Sequence, residues 1–333
     1  MFDYVGIFGL AAFIILFGFL ATRLWKTKNA LLKWGGVTVT GLLTLLGVGL
    51  LGLALRGFAM LNQKFDNPVA EIQVARTEAQ IARGQQLAHI CMSCHSPGFE
   101  LPLSGTDFAY KFDFPSLGTL YAPNLTPGGD IDDWTDGEVI RAVREGVHKN
   151  GRSLLIMPSN IGRNLSDDDI QAIVAYLRSQ PSVGGPTPTN QFNLLGALFL
   201  NLADFRTVQS PVGSVTAPQP GSVAYGKYMV DILGCRECHG DQLQGKVENG
   251  QPGPPPGPNL TLIVPQWTED QFMTFFNTGQ LPGGGAVPIL TLPSGFTEPR
   301  MPWTEIRAAA TDDELKAMYA YLHNLPPVAG PAK

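Results

Sequence analysis

The feature that most constrains the fold is an internal repeat that occupies the chain from about residue 80 onward. The pentapeptide CMSCH begins at Cys91 and CRECH begins at Cys235, an offset of 144 residues. Four further matches follow in the same order: PNLT at 123 and 258, segments beginning WT at 134 and 267, MP at 157 and 301, and segments beginning SDDD at 166 and TDDE at 311. Five matches in one order predict one small domain present twice.

The repeated segments have the periodicity of helices. In the last segment of each copy, apolar residues recur at i, i+3, i+4 and i+7, which gives a helix one buried stripe: Ile170, Ile173, Val174 and Leu177, then Leu315, Met318, Tyr319 and Leu322. Four segments begin with capping-box spacing: Thr135 with Glu138, Thr268 with Gln271, Ser166 with Asp169, and Thr311 with Glu314. Because no run of alternating strands is evident, the fold class is predicted to be all-α.

The N-terminal segment 1–60 predicts a transmembrane hairpin. Two long uncharged apolar runs suit helices at about 4–22 and 34–55, since a span needs ~20 apolar residues. A cleaved signal peptide is disfavoured, because the first run lacks a positive n-region and a small-residue cleavage site. The loop between the runs carries only positive charges, Arg23, Lys26, Lys28 and Lys33. By the positive-inside rule this loop is cytoplasmic, so both termini and the repeats face the periplasm.

Composition narrows the functional classes. The formal net charge of −5 argues against nucleic acid as a partner, because phosphate binding needs a basic face. All four cysteines lie in the two C-x-x-C pairs, which are Cys91 with Cys94 and Cys235 with Cys238. None is left for a disulfide framework or a lone nucleophile.

Each C-x-x-C pair is followed directly by a histidine, which is typical of covalent haem attachment. Two thiols one helical turn apart can bond the two vinyl groups of one haem, and the imidazole of His95 or His239 then reaches the iron. A zinc site would need two such pairs close together, and an iron–sulfur cluster would need all four thiolates. A thioredoxin-like pair would need a βαβ setting. The sequence therefore predicts two covalently bound haem c groups.

Methionine is the expected sixth iron ligand in each copy. Met157 lies 62 residues after His95, Met301 lies 62 residues after His239, and both precede a proline. Methionine opposite histidine is the pairing of electron-transfer haems. Met273 and Met318 fall on helix stripes and are predicted to pack in the core. For the first copy, His148 stays open as the alternative ligand to Met157.

The predicted organisation is a first domain at 75–183, a linker at 184–220 and a second domain at 221–330. Gly- and Pro-rich stretches mark the linker, and they flank the apolar segment FNLLGALFLNLADF at 192–205. This segment is too short to span a bilayer. It suits a helix on the membrane surface or in a subunit interface, and a helix packed between domains is an equal alternative.

The stretches ARGQQLAHICMSCH, YAPNLTPGGDIDDWTDGEVIRAVREG and MPWTEIRAAATDDELKAMYAYLHNLP resemble class I cytochrome c domains. The chain is most similar to the dihaem and trihaem cytochrome subunits of membrane-bound alcohol and gluconate dehydrogenases. Its N-terminal anchor is instead similar to that of the dihaem subunit of some haem–copper terminal oxidases. The resemblance implies two tandem helical haem domains. It also implies that the backbone carbonyls of Pro123 and Pro258 accept a hydrogen bond from the ligand histidines.

These patterns predict a membrane-anchored dihaem cytochrome in the cell membrane. It would pass single electrons from a membrane redox donor to an acceptor on the periplasmic side, as a subunit of a respiratory or dehydrogenase complex. Its expected partners are the membrane, other redox subunits and a soluble or membrane-bound donor or acceptor. No catalytic residue is predicted. The alternatives are a dihaem peroxidase, in which one haem has an open sixth position, and a haem-based sensor.

Overall fold

The computed structural model describes residues 4–112, 117–248, 254–292 and 295–331, so the first three residues of the predicted hairpin lie outside the described part. The chain is largely helical, as predicted. It begins with two apolar helices, α1 (Val5–Trp25) and α2 (Ala30–Asn62), which pack against each other. By length and composition, both could cross a membrane.

Helix α2 is longer than the predicted 34–55. It begins after Asn29, whose side chain accepts a hydrogen bond from the Leu32 N–H (3.1 Å) and so caps the first turn. At its other end the helix continues past Arg56, the charge that limited the uncharged run. A charge limits an apolar run but does not end a helix, because arginine is a good helix former.

The first repeat contains six helices and three short strands among the described residues: α3 (Glu78–Ala88), α4 (Met92–His95), β1 (Thr106–Asp107), α5 (Phe108–Lys111), β2 (Gly118–Thr119), β3 (Tyr121–Ala122), α6 (Asp136–Glu145), α7 (Ser159–Gly162) and α8 (Asp167–Leu177). A 3₁₀ turn, His89–Cys91, joins α3 to α4.

The connecting segment and the second repeat follow. The segment holds β4 (Gln191–Phe192) and α9 (Leu194–Phe199). The second repeat comprises α10 (Val223–Ile232), α11 (Cys235–His239), α12 (Leu260–Ile263), a 3₁₀ turn (Val264–Gln266), α13 (Glu269–Thr278), β5 (Ile289–Thr291), β6 (Thr297–Pro299), α14 (Trp303–Ala309) and α15 (Asp312–His323).

The strands form three short antiparallel pairs that the sequence did not predict. Strand β1 pairs with β3, β2 pairs with β4, and β5 pairs with β6 in a hairpin. Each strand has only two or three residues, which is too short to give the alternation by which strands are recognised.

The predicted helix caps are confirmed, with one difference. Thr135, Thr268 and Thr311 each form a complete capping box with the residue three positions later. Ser166 also caps its helix by accepting from the Asp169 N–H (3.1 Å). The Asp169 carboxylate does not return to the cap, because it binds Arg83 instead (2.8 Å).

In each repeat the first and last helices pack closely against each other. Helix α3 packs against α8, and α10 packs against α15. At the two crossing points the chain carries Gly84 and Gly226. A Cβ atom on Gly84 would lie 1.8 Å from the Ala172 carbonyl oxygen, and one on Gly226 would lie 1.9 Å from that of Ala317. Only glycine permits this approach of two backbones. The predicted stripes, including Ile170 and Leu315, are buried apart from Tyr319, which is partly buried.

The two repeats share one apolar core. A single cluster of buried side chains runs from Leu87 and Val174 in the first repeat to Met229 and Met318 in the second. Met318 is 1% exposed, which confirms its predicted place in the core.

The connecting segment lies along the first repeat and is not a free spacer. The Ile156 N–H donates to the Phe205 carbonyl (2.9 Å), and the Asp167 N–H donates to that of Val215 (2.8 Å). The Asn124 side chain donates to the Gly185 carbonyl (3.0 Å). These bonds satisfy an extended, proline-rich backbone, and such contacts leave no periodic signal in the sequence.

Helix α9 lies against both N-terminal helices. A Cβ on Gly6 of α1 would lie 2.6 Å from Leu194 Cβ, and one on Gly57 of α2 would lie 2.1 Å from the Ala197 carbonyl oxygen. Asn201 links the two parts further, because its side chain accepts from Arg56 (3.2 Å) and donates to the Leu53 carbonyl (3.0 Å). The segment 192–205 therefore joins the helical hairpin to the first repeat.

We expect Gly226→Ala to destabilise the chain by ~1–3 kcal/mol, the usual cost of overpacking. The added methyl group would press on the Ala317 backbone and force α10 and α15 apart. Thermal unfolding of the purified chain, followed by far-UV circular dichroism, measures the effect. Gly213→Ala is the matched control, since no atom lies within 4 Å of its added Cβ. Equal melting temperatures for the two variants would contradict the role of Gly226.

Candidate haem-binding sites

The first candidate site is built on the end of α3 and the short helix that follows it. Cys91 ends the 3₁₀ turn, and Cys94 and His95 lie in α4. In the second repeat Cys235, Cys238 and His239 all lie in α11. Helical geometry places each pair of sulfurs one turn apart on one face, and none of these four cysteines is in a disulfide.

The environment of the cysteines argues against a thiol redox pair. Burial raises the pKa of Cys91 and of Cys235 to about 12, and it also raises the pKa of Cys94 and Cys238. Redox-active cysteines need the opposite shift, because the thiolate is the reactive form.

Both histidines are held by one hydrogen bond of the same kind. His95 Nδ1 lies 2.9 Å from the Pro123 carbonyl oxygen, and His239 Nδ1 lies 2.7 Å from that of Pro258. A carbonyl can only accept, so Nδ1 carries the proton and Nε2 keeps its lone pair for a metal. Burial lowers the pKa of both histidines and so favours the neutral imidazole that binds iron.

The PNLT loops fix these carbonyls in the same way in both repeats. Asn124 Oδ1 accepts from the backbone N–H (2.9 Å) and the hydroxyl (2.7 Å) of Thr126. Asn259 makes the same two bonds with Thr261 (3.0 and 2.7 Å). In the second repeat Gly257 packs directly against the His239 ring, since a Cβ there would be 2.7 Å from two atoms of the imidazole.

The two Met-Pro pairs adopt one local conformation. Pro158 has φ −78° and ψ 63°, and Pro302 has φ −77° and ψ 60°. The N–H after each proline donates to the methionine carbonyl over 2.8 Å, from Ser159 to Met157 and from Trp303 to Met301. These are inverse γ-turns. Met157 and Met301 are both half-buried, and Met301 packs against the shared core.

His148, the alternative ligand in the first repeat, has other partners. Its ring packs edge-on against Trp134 with centroids 4.6 Å apart. Its Nδ1 accepts from the Asn150 N–H (3.2 Å). Burial first, and then the charge of Arg152, lower its pKa to about 4. Because Nδ1 accepts here, the ring proton of the neutral His148 lies on Nε2, in contrast to His95 and His239, whose Nε2 is free.

The donor sets fit haem c. Each repeat offers two thiols on one helical turn, one imidazole with a free Nε2, and one thioether sulfur. No group of three or more His, Cys, Asp and Glu side chains that could hold a metal ion occurs within the described residues. A haem needs no such group, because the porphyrin supplies four of the iron ligands and the protein supplies the two axial ones.

The structure brings the two candidate sites next to each other. Helix α7, which follows Met157, contacts α10, and its Asn160 side chain donates to Glu237 in the second C-x-x-C-H segment (2.7 Å). Helix α14, which follows Met301, contacts the 3₁₀ turn that carries Cys91. Each methionine segment therefore touches the attachment segment of the other repeat.

A charged network at this contact was not predicted. Arg83 binds Asp169 of its own repeat (2.8 Å) and Glu314 of the second (2.7 Å). The Tyr225 hydroxyl donates to Glu314 (2.9 Å), and the Tyr228 hydroxyl donates to Asp169. Burial raises the pKa of both tyrosines, and so do the carboxylates, which keeps the two hydroxyls protonated as donors. The only sequence signal was the helix-cap position of Asp169 and Glu314.

The comparisons with known proteins agree with this geometry. Residues 81–181 match the family model of cytochrome c, so the first repeat is a cytochrome c domain. A domain of this family implies covalently bound haem c.

The chain is homologous to cytochrome subunits of dehydrogenases. It is 27% identical over 279 residues to the cytochrome c subunit of alcohol dehydrogenase (quinone) from Gluconacetobacter polyoxogenes, covering 75% of this chain and 57% of that protein. It is 33% identical over 179 residues to the gluconate 2-dehydrogenase cytochrome c subunit of Pantoea cypripedii, covering 49% and 38%. A nicotinate dehydrogenase subunit of Pseudomonas putida is 30% identical over 232 residues, covering 60% and 18%. The chain thus spans little more than half the length of these relatives, or less.

We expect Arg83→Met to lower the free energy of unfolding by ~3 kcal/mol, because it leaves two buried carboxylates without their cation. Denaturant unfolding of the haem-loaded chain, followed by far-UV circular dichroism and haem absorbance, measures this loss. The control is Lys227→Met, which removes an exposed i,i+4 pair with Asp231 and should cost at most ~0.5 kcal/mol. A loss no larger than that of the control would show that Arg83 is not the link between the repeats.

Proposed function

We propose that the chain is a membrane-anchored dihaem cytochrome c that transfers single electrons as a subunit of a dehydrogenase complex. The observation that carries the proposal is the equivalence of the two sites. The histidine-to-proline hydrogen bond and the Met-Pro γ-turn occur in both repeats with the same local geometry, and the C-x-x-C-H segment is helical in both. The second repeat is therefore a second cytochrome c domain and holds its own haem.

Each residue of the site has one role in this proposal. Cys91, Cys94, Cys235 and Cys238 attach the haem groups through thioether bonds. His95 and His239 bind iron through Nε2, while the carbonyls of Pro123 and Pro258 hold the Nδ1 protons and orient the rings. Met157 and Met301 supply the sixth ligands, which raise the reduction potential. When bound, haem c supplies a one-electron couple between ferric and ferrous iron.

The relatives support the assignment to a redox complex. Several of them are, by name, cytochrome c subunits of alcohol or gluconate dehydrogenases, and another is a fructose dehydrogenase cytochrome subunit. Other redox subunits are therefore the proposed partners of this chain, with a donor or acceptor on the same face of the membrane.

The proposed anchor consists of α1, α2 and α9. The first two helices span the membrane with the basic loop on the cytoplasmic side, and the haem domains face the periplasm. Helix α9 lies across the periplasmic end of the hairpin. Leu195 in α9 (58%) and Leu202 just after it (84%) are exposed. We place these two side chains in the interface on the periplasmic side of the cell membrane.

The chain should carry two c-type haems when it is expressed with a haem-attachment system. The pyridine haemochrome assay should give about two haems per chain for the wild type. The double variant Cys91→Ser/Cys94→Ser should give one haem per chain, because each cysteine pair holds its own haem. The double variant Cys235→Ser/Cys238→Ser should likewise give one. A single haem in the wild type would contradict the dihaem proposal, and zinc with no covalent haem would contradict the whole assignment.

The spin state of the same samples separates electron transfer from the peroxidase alternative. Low-spin ferric iron in both sites at rest, lost from one site in Met157→Ala and from the other in Met301→Ala, supports ligation by these two methionines. A high-spin site at rest, together with hydrogen peroxide turnover, would favour a peroxidase and contradict the proposed role of that methionine. Met157→His and Met301→His serve as controls, since a second imidazole keeps the iron low-spin and lowers the reduction potential.

The topology can be tested with single introduced cysteines, because the native cysteines are blocked as thioethers. Ile289, exposed on the second repeat, and Lys28, exposed in the basic loop, are the sites for substitution by cysteine. In intact spheroplasts a membrane-impermeant thiol reagent should label Ile289→Cys only. Lys28→Cys should react only after the membrane is opened. The reverse pattern would contradict the proposed orientation.

A further inference from the structure

The two repeats differ in where their extra residues lie. His95 and Pro123 are 28 residues apart, whereas His239 and Pro258 are 19 apart. In the opposite sense, the stretch from Pro258 to Met301 is nine residues longer than the stretch from Pro123 to Met157. The first repeat therefore has an insertion that contains α5, and the second has one that contains the β5–β6 hairpin.

These two insertions meet over the first attachment segment. Phe99, just after the first C-x-x-C-H, packs on Phe296 in the turn of the β5–β6 hairpin, with ring centroids 5.0 Å apart. The Lys111 ammonium of α5 lies 4.1 Å from the Phe99 ring centroid and 4.7 Å from that of Phe296. The aromatic pair covers the charge, and Lys111 is only 4% exposed.

The covered ammonium points at the haem-attachment segment. Lys111 Nζ donates to the carbonyl oxygens of Ser93 (2.7 Å) and Ser96 (3.0 Å), which flank Cys94 and His95. Among the described residues, Glu298 on β6 and Glu305 on α14 are two acidic side chains whose charges act on Lys111. Buried charges act on one another several times more strongly than they would in water.

The second repeat has a comparable lysine in a different setting. Lys246 Nζ donates to the carbonyl of Glu237 (2.6 Å), which holds the same place in CRECH as Ser93 holds in CMSCH. Lys246 is exposed, however, so water and salt screen its charge. The same carbonyl position thus receives a buried cation in one repeat and a solvated cation in the other.

We propose that Lys111 raises the reduction potential of the haem held by Cys91, Cys94 and His95, and that Lys246 has little such effect on the second haem. One-electron reduction lowers the positive charge of the iron by one and makes or breaks no bond. A fixed cation nearby therefore stabilises the reduced state, and it does so most where water is excluded. Lys111 acts as a positioned charge and is not a ligand. The inference rests on the proposed function, since it needs a haem in each repeat.

The test compares Lys111→Met with Lys246→Met in the full-length chain at about pH 8, where exposed carboxylates are ionised. Haem content is measured first by the pyridine haemochrome assay, and both potentials are then measured by spectroelectrochemical titration. A Met301→His background identifies the second haem by its lowered potential. We expect Lys111→Met to disfavour reduction of the first haem about tenfold, equivalent to about 59 mV for one electron. Lys246→Met should change the second haem less than about twofold.

Each other outcome has a defined meaning. If both haems are present and Lys111→Met shifts its haem no more than Lys246→Met does, the inference is wrong. If Lys111→Met loses its haem, Lys111→Gln decides, because a glutamine amide can still donate to the Ser93 or Ser96 carbonyl but carries no charge. A lowered potential of the first haem then supports the inference, and an unchanged one overturns it. Fewer than two haems in the wild type would instead be a failure of the proposed function.

Discussion

The contact on which the rest of the structure depends is the crossing of the first and last helices in each repeat. Gly84 and Gly226 let one backbone rest on the carbonyl of the facing helix. This crossing fixes the end of the first helix, from which the cysteine pair follows. It also fixes the start of the last helix, which the methionine segment precedes. The two sides of each candidate haem site are therefore placed by one backbone contact, at a position where a methyl group would not fit.

The contact between the repeats extends this arrangement to the pair of sites. Arg83 binds a carboxylate from each repeat at the start of α8 and of α15. Each methionine segment lies against the attachment segment of the other repeat. The halves are therefore related by an approximate two-fold arrangement, whereas the buried Lys111 and the hairpin above it belong to one side only. Near-symmetry brings the sites together, and the insertions make their surroundings different.

Much of this could be predicted from the sequence. The repeat, the helix stripes ending at Leu177 and Leu322, and the helix caps at Thr135 and Thr311 follow from local patterns that depend on a few neighbouring residues. The two N-terminal helices follow from their length and lack of charge. The candidate haem ligands were predicted from motif and spacing, and the structure gives both histidines the same hydrogen bond and both methionines the same turn.

The rest depends on contacts between residues distant in the chain. The strand pairs are too short for alternation, and the connecting segment is held by backbone hydrogen bonds that any sequence could make. Arg83 reaches its partner 231 residues away. The equal spacing of 62 residues from histidine to methionine proved to be a coincidence of two insertions of equal length. Order along the repeat, rather than equal distance, was the sound basis for pairing Met157 with Met301.

The packing of α9 against α1 and α2 restricts how the first repeat can move relative to these helices. A haem domain on a flexible linker samples a volume set by the length of the linker, and it finds its partners by diffusing within that volume. Here Leu194, Ala197 and Asn201 hold the first repeat against both N-terminal helices, and the backbone N–H of Phe65, just beyond α2, donates to the Gly151 carbonyl (2.8 Å). These contacts fix the position and orientation of the first repeat relative to α1 and α2. With the two helices anchored in the membrane as proposed, a redox partner must bring its own centre to that fixed place.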